Sequence, residues 1–129
     1  MSDYLLDTHV FLWWILDEPR LSLAVRDLLK ESAEPIYVSS ITGLEIATKA
    51  KLGKLSIPDQ PGEFLRKQLV ANHFLELPLS LEAAANTYSL PFHHRDPFDR
   101  TLISQAKLHN AILVTNDACI SEYDLETYW

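Results

Sequence analysis

The sequence predicts an α/β fold with a central, mainly parallel sheet. Three observations predict it. Short, uninterrupted apolar runs recur along the chain, the pattern of strands covered on both faces. Longer segments with apolar residues at helical spacing separate them. Most of these segments open on a residue able to cap a helix.

In chain order, Tyr4-Leu5-Leu6 forms the first strand, followed by an apolar helix holding Trp13 and Trp14, which are expected to pack in the core. Ser22 caps a helix carrying Leu23, Val25, Leu28 and Leu29. Ile36-Tyr37-Val38 is the second strand. Ser39 or Ser40 then caps a helix running to about Leu52, where Gly53 supplies the stop. Pro58, Pro61 and Gly62 mark a loop before the helix of Phe64, Leu65, Leu69 and Val70, and Leu75-Glu76-Leu77 is a weaker strand. Ser80 caps a helix through Ala83 to Ala85. Asp96-Pro97 opens one containing Leu102, Ile103 and Ala106, with proline suited to the first helical position. Ile112-Leu113-Val114 is another buried strand. No repeat, low-complexity tract or linker divides the chain, so residues 1–129 read as a single domain.

Composition narrows the function classes. Hydrophobic residues make up 47% and charged residues 22%, as in ordinary soluble globular proteins. The longest apolar stretch, Val10 to Leu16, is far too short to span a bilayer, and the first residues lack the marks of a signal peptide. One cysteine, Cys119, excludes an internal disulfide framework and is expected to be a small buried filler, so the default location is cytoplasmic. The net charge of −7 opposes a nucleic-acid enzyme, unless many of the acids are gathered to hold cations.

The placement of the acids decides between these. Asp7 directly follows the first strand, and ligands of parallel sheets bind beyond the carboxyl ends of strands. Taken alone it reads first as a helix cap. Glu45 lies on the edge of a helical face formed by Ile41, Leu44, Thr48 and Leu52. An ionised carboxylate facing a core needs a partner or a cation, and Lys49, four residues on, offers one. Asp96 is placed as an N-cap and Asp99 as the third helical residue. Asp99 shares a face with Ile103 and Ala106 and so points inward, whereas Asp96 suits a structural role. Arg100 could meet phosphate, but an ion pair with one of these acids is favoured. Asp117 follows the last apolar run as Asp7 follows the first, although singly it reads as a turn residue.

Jointly, four unpaired carboxylates at one site would repel and raise one another's pKa, which a divalent cation relieves. Oxygen-only ligands favour Mg²⁺ or Mn²⁺ over zinc. Such ions bind and polarise a phosphate and acidify an attacking water. His9, His73, His93, His94 and His109 show no paired metal-ligand spacing; His93 and His94 should diverge and make local hydrogen bonds.

With these residues in place, the chain closely resembles the PIN-domain ribonucleases, specifically the VapC toxins of type II toxin–antitoxin pairs. The resemblance rests on Leu5-Leu6-Asp7-Thr8-His9-Val10 with Trp13-Trp14, and on Ser39-Ser40 through Glu45-Ile46-Ala47 to Lys49-Ala50-Lys51-Leu52-Gly53-Lys54-Leu55. It continues in His94-Arg95-Asp96-Pro97-Phe98-Asp99-Arg100, the most specific segment, Ala106, and Val114-Thr115-Asn116-Asp117. Leu44 departs from it, since relatives often carry Trp before the Glu. Position by position, Asp7, Glu45, Asp99 and Asp117 match the family's acidic quartet, and Asp96 a further acid assisting the metal site. The resemblance implies a three-layer α/β/α PIN-like domain, Mg²⁺-dependent cleavage of single-stranded RNA, a homodimer and a cognate antitoxin that occupies the site.

The expected mechanism places the principal Mg²⁺ on Asp7 and Asp99, with Glu45 and Asp117 completing its sphere directly or through water. Water attacks the phosphorus in line and the 3′-oxygen leaves. Lys49, Lys51 and Lys54, with Arg95 or Thr115, are expected to position the RNA, and a basic antitoxin segment could place an Arg among the carboxylates. Two other readings compete. A haloacid-dehalogenase-like phosphatase also has an Asp after its first strand, but needs a second Asp two residues on, where His9 stands. A non-enzymatic module could bind RNA or protein through the same cleft.

Overall fold

A computed structural model describes residues 2–129. Five strands, β1 (Tyr4–Leu6), β2 (Ile36–Ser39), β3 (Leu75–Leu77), β4 (Ile112–Val114) and β5 (Thr127–Tyr128), form one sheet in the order β3-β2-β1-β4-β5. All neighbours are parallel, with Tyr4 opposite both Ile36 and Ile112, and Leu6 opposite Val114. The chain steps outward from β1 through β2 to β3, then returns to the other side of β1 as β4. The strand order therefore reverses between β1 and β4, where the carboxyl ends of a parallel sheet leave a crevice for a ligand.

The connecting helices are α1 (Thr8–Ile15), α2 (Leu23–Glu31), α3 (Ser40–Lys51), α4 (Pro61–Asn72), α5 (Leu81–Asn86), α6 (Pro97–Leu108) and α7 (Ala118–Ser121), with one 3-10 turn at Thr87–Ser89. Successive strand residues point to opposite faces of the sheet, which divides the core in two. Leu6, Ile36, Val38 and Val114 pack with Val10, Phe11, Val25 and Phe64 of α1, α2 and α4. Leu5 and Leu113 pack with Leu102, Ile103 and Ala106 of α6 and Ile120 of α7. The result is three α/β/α layers.

The expected strands and the caps at Ser22, Ser80 and Asp96 are observed. Ser39, rather than Ser40, is the α3 cap, accepting from the Ile41 amide. Gly53 ends α3 at φ +74°, a conformation that costs a glycine nothing. Trp13 and Trp14 are partly buried against the first core, and the Trp14 indole donates to Asn72 Oδ1 on α4 at 2.8 Å. Among the described residues no helix is long and apolar enough to cross a membrane.

Several expectations need correction. Pro61 and Gly62 lie inside α4, because proline costs nothing at a helix start. The inward face of α3 is Thr42, Glu45 and Ile46, whereas Leu44, Thr48 and Leu52 are exposed. Cys119 is exposed in α7. β5 is a two-residue strand, too short for any periodicity, held through Leu113 N–H to Glu126 O and Thr115 N–H to Tyr128 O.

Arg100 is buried and, among the described residues, does not form the expected ion pair. Its buried guanidinium donates through Nη1 to the carbonyls of Pro91 (2.9 Å) and His94 (3.2 Å). Nη2 donates to those of Thr87 (2.9 Å) and Leu90 (3.2 Å), and the group lies 4.3 Å from the centre of the Phe92 ring. One charged side chain thus shapes the loop that delivers the chain to Asp96. Arg100→Ala removes these charge-assisted bonds, so urea unfolding should show a loss of about 3 kcal/mol; a change under about 0.5 kcal/mol would contradict this role.

Candidate metal centre

Asp7 leaves β1 and caps α1, and Asp117 leaves β4 and caps α7, so the two acids stand on either side of the point where the strand order reverses. Glu45 comes from the second turn of α3, which leaves β2, and Asp99 from the first turn of α6. The predicted quartet therefore comes from four segments; Asp99 and Asp117 meet at His94, and Asp99 feels the charges of Asp7 and Glu45. Asp7, Glu45 and Asp99 are buried, and Asp117 is partly buried.

Their oxygens are not equally satisfied. Asp7 Oδ2 accepts from the Thr115 hydroxyl at 2.7 Å, and Oδ1 accepts from the His9 amide at 3.3 Å. The His9 ring nitrogen Nδ1 lies 3.6 Å from the same Oδ1, and this carboxylate raises the imidazole pKa. Asp117 Oδ1 accepts from the Cys119 amide at 2.8 Å, and its Oδ2 lies 3.0 Å from His94 Nε2. Glu45 is 1% exposed; Oε2 lies 2.6 Å from Lys49 Nζ, while Oε1 is buried without any partner among the described residues. The Glu45 carboxylate raises the Lys49 pKa. Asp99 is pushed up to about 7, first by burial and then by the charges of Asp7 and Asp96, with a further contribution from Glu45 and an opposing one from His94.

Hydroxyl and amide groups tie the four segments together beneath the acids. Thr8 and Thr42 share a 2.9 Å hydroxyl bond between α1 and α3. Ser39 hydrogen-bonds the buried Gln105, joining the start of α3 to α6. Thr115 bridges Asp7 to Asp117, donating to the former and accepting the latter's amide at 3.1 Å. Thr115 is thus buried as a brace for Asp7, a correction to its expected place on the substrate. Asp96 accepts from the amides of Phe98 and Asp99, the cap role that its position suggested.

The expected basic residues fall in different places. Lys49 stands at the site but is engaged with Glu45. Six residues past Glu45 turn a helix by about 240°, so Lys51 leaves on another face, lining a groove with Leu55, Ile57 and Asp59. Lys54 is exposed beyond the end of α3, and Arg95 is exposed just before the Asp96 cap. His94 is the residue that sequence reasoning passed over. Its Nε2 lies 3.0 Å from both Asp99 Oδ2 and Asp117 Oδ2. The two adjacent histidines do diverge: His93 packs edge-on against Tyr123 while His94 enters the acids.

These residues fit a divalent cation. A buried carboxylate oxygen with no donor, near a carboxyl group whose pKa is raised by burial and by neighbouring charges, is stabilised by a positive charge more than by any hydrogen bond available. Oxygen donors at that position suit Mg²⁺ or Mn²⁺.

Comparison with known proteins agrees with the fold. Residues 4–125 match the PIN domain family. The chain is 31% identical over 118 residues to Ribonuclease VapC22 of Mycobacterium tuberculosis, covering 91% of this chain and 88% of that protein. A chain in the crystal structure of VapBC2 from Rickettsia felis, bound to a DNA fragment from their promoter, superposes with a TM-score of 0.72 at 21% identity, covering 98% and 97% of the two chains. A chain of a toxin-antitoxin complex from Klebsiella pneumoniae gives 0.67 at 17% identity, covering 98% and 96%. At such identities these two structures are like this chain in fold.

Asp99 binds its proton more tightly in the folded protein than in the unfolded chain, where the ordinary value is 3.8. Its favourable contribution is therefore complete below that value and lost as pH rises through about 7. In EDTA, stability should fall between pH 4 and 7.5 by up to about 4 kcal/mol. Asp99→Asn should flatten that slope, and Mg²⁺ should stabilise the protein most at the alkaline end. An unchanged slope in Asp99→Asn, measured by denaturant titration at each pH, would contradict the assignment.

Proposed function

The chain belongs to the PIN-domain family, among its VapC ribonucleases, and on that premise we propose that it is a Mg²⁺-dependent endoribonuclease that hydrolyses single-stranded RNA as the toxin of a type II toxin–antitoxin pair. Residues 1–129 constitute a single PIN domain acting in the cytoplasm. The observation that carries this reading is the orphaned oxygen of Glu45 among three further acids at the switch point of the sheet. A structural role for Glu45 is satisfied by Lys49 at Oε2 and leaves Oε1 unexplained.

Asp7, Asp99 and Glu45 hold the ion, Mg²⁺ or alternatively Mn²⁺, in this proposal. Asp117, only partly buried, completes the site directly or through water, and Asp96 serves chiefly as the α6 cap that aims Asp99. A divalent cation there supplies polarisation of the phosphate and a lower pKa for water. The rest is done by the chain itself. Thr115 and the His9 amide fix the rotation of the Asp7 carboxylate, so it meets substrate without reorganising. Lys49 sets a positive charge at the rim, next to Glu45, to face an approaching phosphate. Lys51 and Lys54 provide a more distant basic surface for RNA outside the cleft.

The net charge of −7 then ceases to oppose RNA binding, because cation-loaded acids no longer repel phosphate. The same acids suit a second partner. A basic segment of a cognate antitoxin can place a guanidinium on two of the carboxylates and take the position of the metal. A homodimer completes the proposed assembly.

The test uses the purified chain and an unstructured RNA oligonucleotide. Cleavage should require Mg²⁺ or Mn²⁺, stop in EDTA, and fall at least about a hundredfold in Asp7→Asn and in Glu45→Gln, with circular dichroism unchanged. Undiminished cleavage by Asp7→Asn, or full activity in EDTA, would reject the proposal. Tight RNA binding without cleavage under either metal would identify a binding module instead.

A further inference from the structure

His94 belongs to no helix or strand, yet its backbone is held on both sides. Its amide donates to the Tyr123 hydroxyl at 2.8 Å, and its carbonyl accepts from Arg100 at 3.2 Å. Tyr123 in turn donates to the Pro91 carbonyl at 2.7 Å. A loop clamped this firmly fixes where the imidazole goes, and it goes between two acids that come from different elements.

The hydrogen bonds decide what the ring does there. Nδ1 accepts from the Asp96 amide at 3.2 Å, so this nitrogen carries the lone pair and the ring proton is on Nε2. Nε2 is 3.0 Å from Asp99 Oδ2 and 3.0 Å from Asp117 Oδ2. An imidazole that ligated a metal through Nε2 would need its proton on Nδ1, facing the Asp96 N–H, and two donors would then oppose each other. His94 is therefore built as a donor to the carboxylates rather than as a ligand beside them.

We propose that His94 is a positioning residue of the metal centre, its Nε2–H spanning Asp99 and Asp117 so that two mutually repelling carboxylates stay together. This inference rests on the reading of the acids as a cation site. Without the bridge, the Asp117 carboxylate keeps only its capping bond from the Cys119 amide, and none of the described residues then links it to Asp99. Hydrogen bonds that orient metal ligands typically change metal affinity by about 10–100-fold when they are removed. Arg100 and Tyr123, which hold the His94 backbone, act on the site through this residue.

The experiment is a Mn²⁺ titration of the full chain, with free ion read by electron paramagnetic resonance and thermal unfolding followed in EDTA. His94→Ala should weaken Mn²⁺ binding about 10–100-fold. His94→Gln, whose amide N–H can occupy the position of Nε2–H, should recover most of that affinity. Tyr123→Phe, which removes one of the two holds on the His94 backbone and leaves the ring chemistry intact, should weaken binding in the same direction and by less; it also carries the test if His94→Ala does not fold. Unchanged or tighter Mn²⁺ binding by folded His94→Ala, or no recovery in His94→Gln, overturns the role of His94 alone. If the native chain binds no Mn²⁺, the metal-site reading and this proposal fall together.

Discussion

Several carboxylates are brought together out of water, and most of the local architecture can be understood as the means of doing so. Like charges at short range in a poorly hydrated site repel strongly, and burial adds its own penalty to each. The fold counters this by fastening the contributing segments to one another rather than by neutralising each acid. Thr8 joins Thr42, Ser39 joins Gln105, and Thr115 joins Asp7 to the turn after β4. The residual electrostatic cost shows where compensation is incomplete, at the raised Asp99 and the orphaned oxygen of Glu45. Both are positions at which a cation does what a neutral donor cannot.

The sheet supplies the geometry. With all strands parallel, the carboxyl ends of β1, β2 and β4 lie along one edge, and each of the following helices begins there. Helix starts carry exposed N–H groups, so an acid at that edge can cap a helix with one oxygen and face the crevice with the other. Asp7, Asp117 and Asp96 each cap a helix with one oxygen, and Asp117 turns its other oxygen to His94. Capping and chemistry are therefore compatible roles, and a choice between them from local pattern alone was never necessary.

This explains why the site was partly legible in the sequence. Strands buried on both faces read as unbroken apolar runs, so β1, β2 and β4 were plain, and with them the strand-end places of Asp7 and Asp117. Asp99 was found because it shares a helical face with Ile103 and Ala106, which are buried. The face of α3 was misread for a physical reason: it turns Thr42 and Glu45 inward and leaves Leu44 and Leu52 in solvent, the inverse of an ordinary amphipathic helix. Local pattern and global structure conflict most readily where a site is built. The burial of Glu45 was anticipated, but on a neighbouring face that proved to be exposed.

His94 had no comparable signal. A histidine in a loop has no period, and its position depends on Arg100 and Tyr123 clamping residues 87–94, a tertiary effect. The only hint was its place two residues before the capping Asp96, from whose amide a side chain there can accept. Lys51 lies away from the acids, since nearness in sequence to Glu45 does not survive a helical rotation of about 240°. The account as a whole stands on the acids forming one cation seat, and a crystal grown with Mn²⁺ tests that most directly. It predicts an anomalous peak about 2.1 Å from carboxylate oxygens of Asp7, Asp99 and Glu45, including the orphaned Oε1. Well-ordered carboxylates with no such peak at saturating Mn²⁺, or an ion bound elsewhere with Glu45 Oε1 left bare, would contradict it.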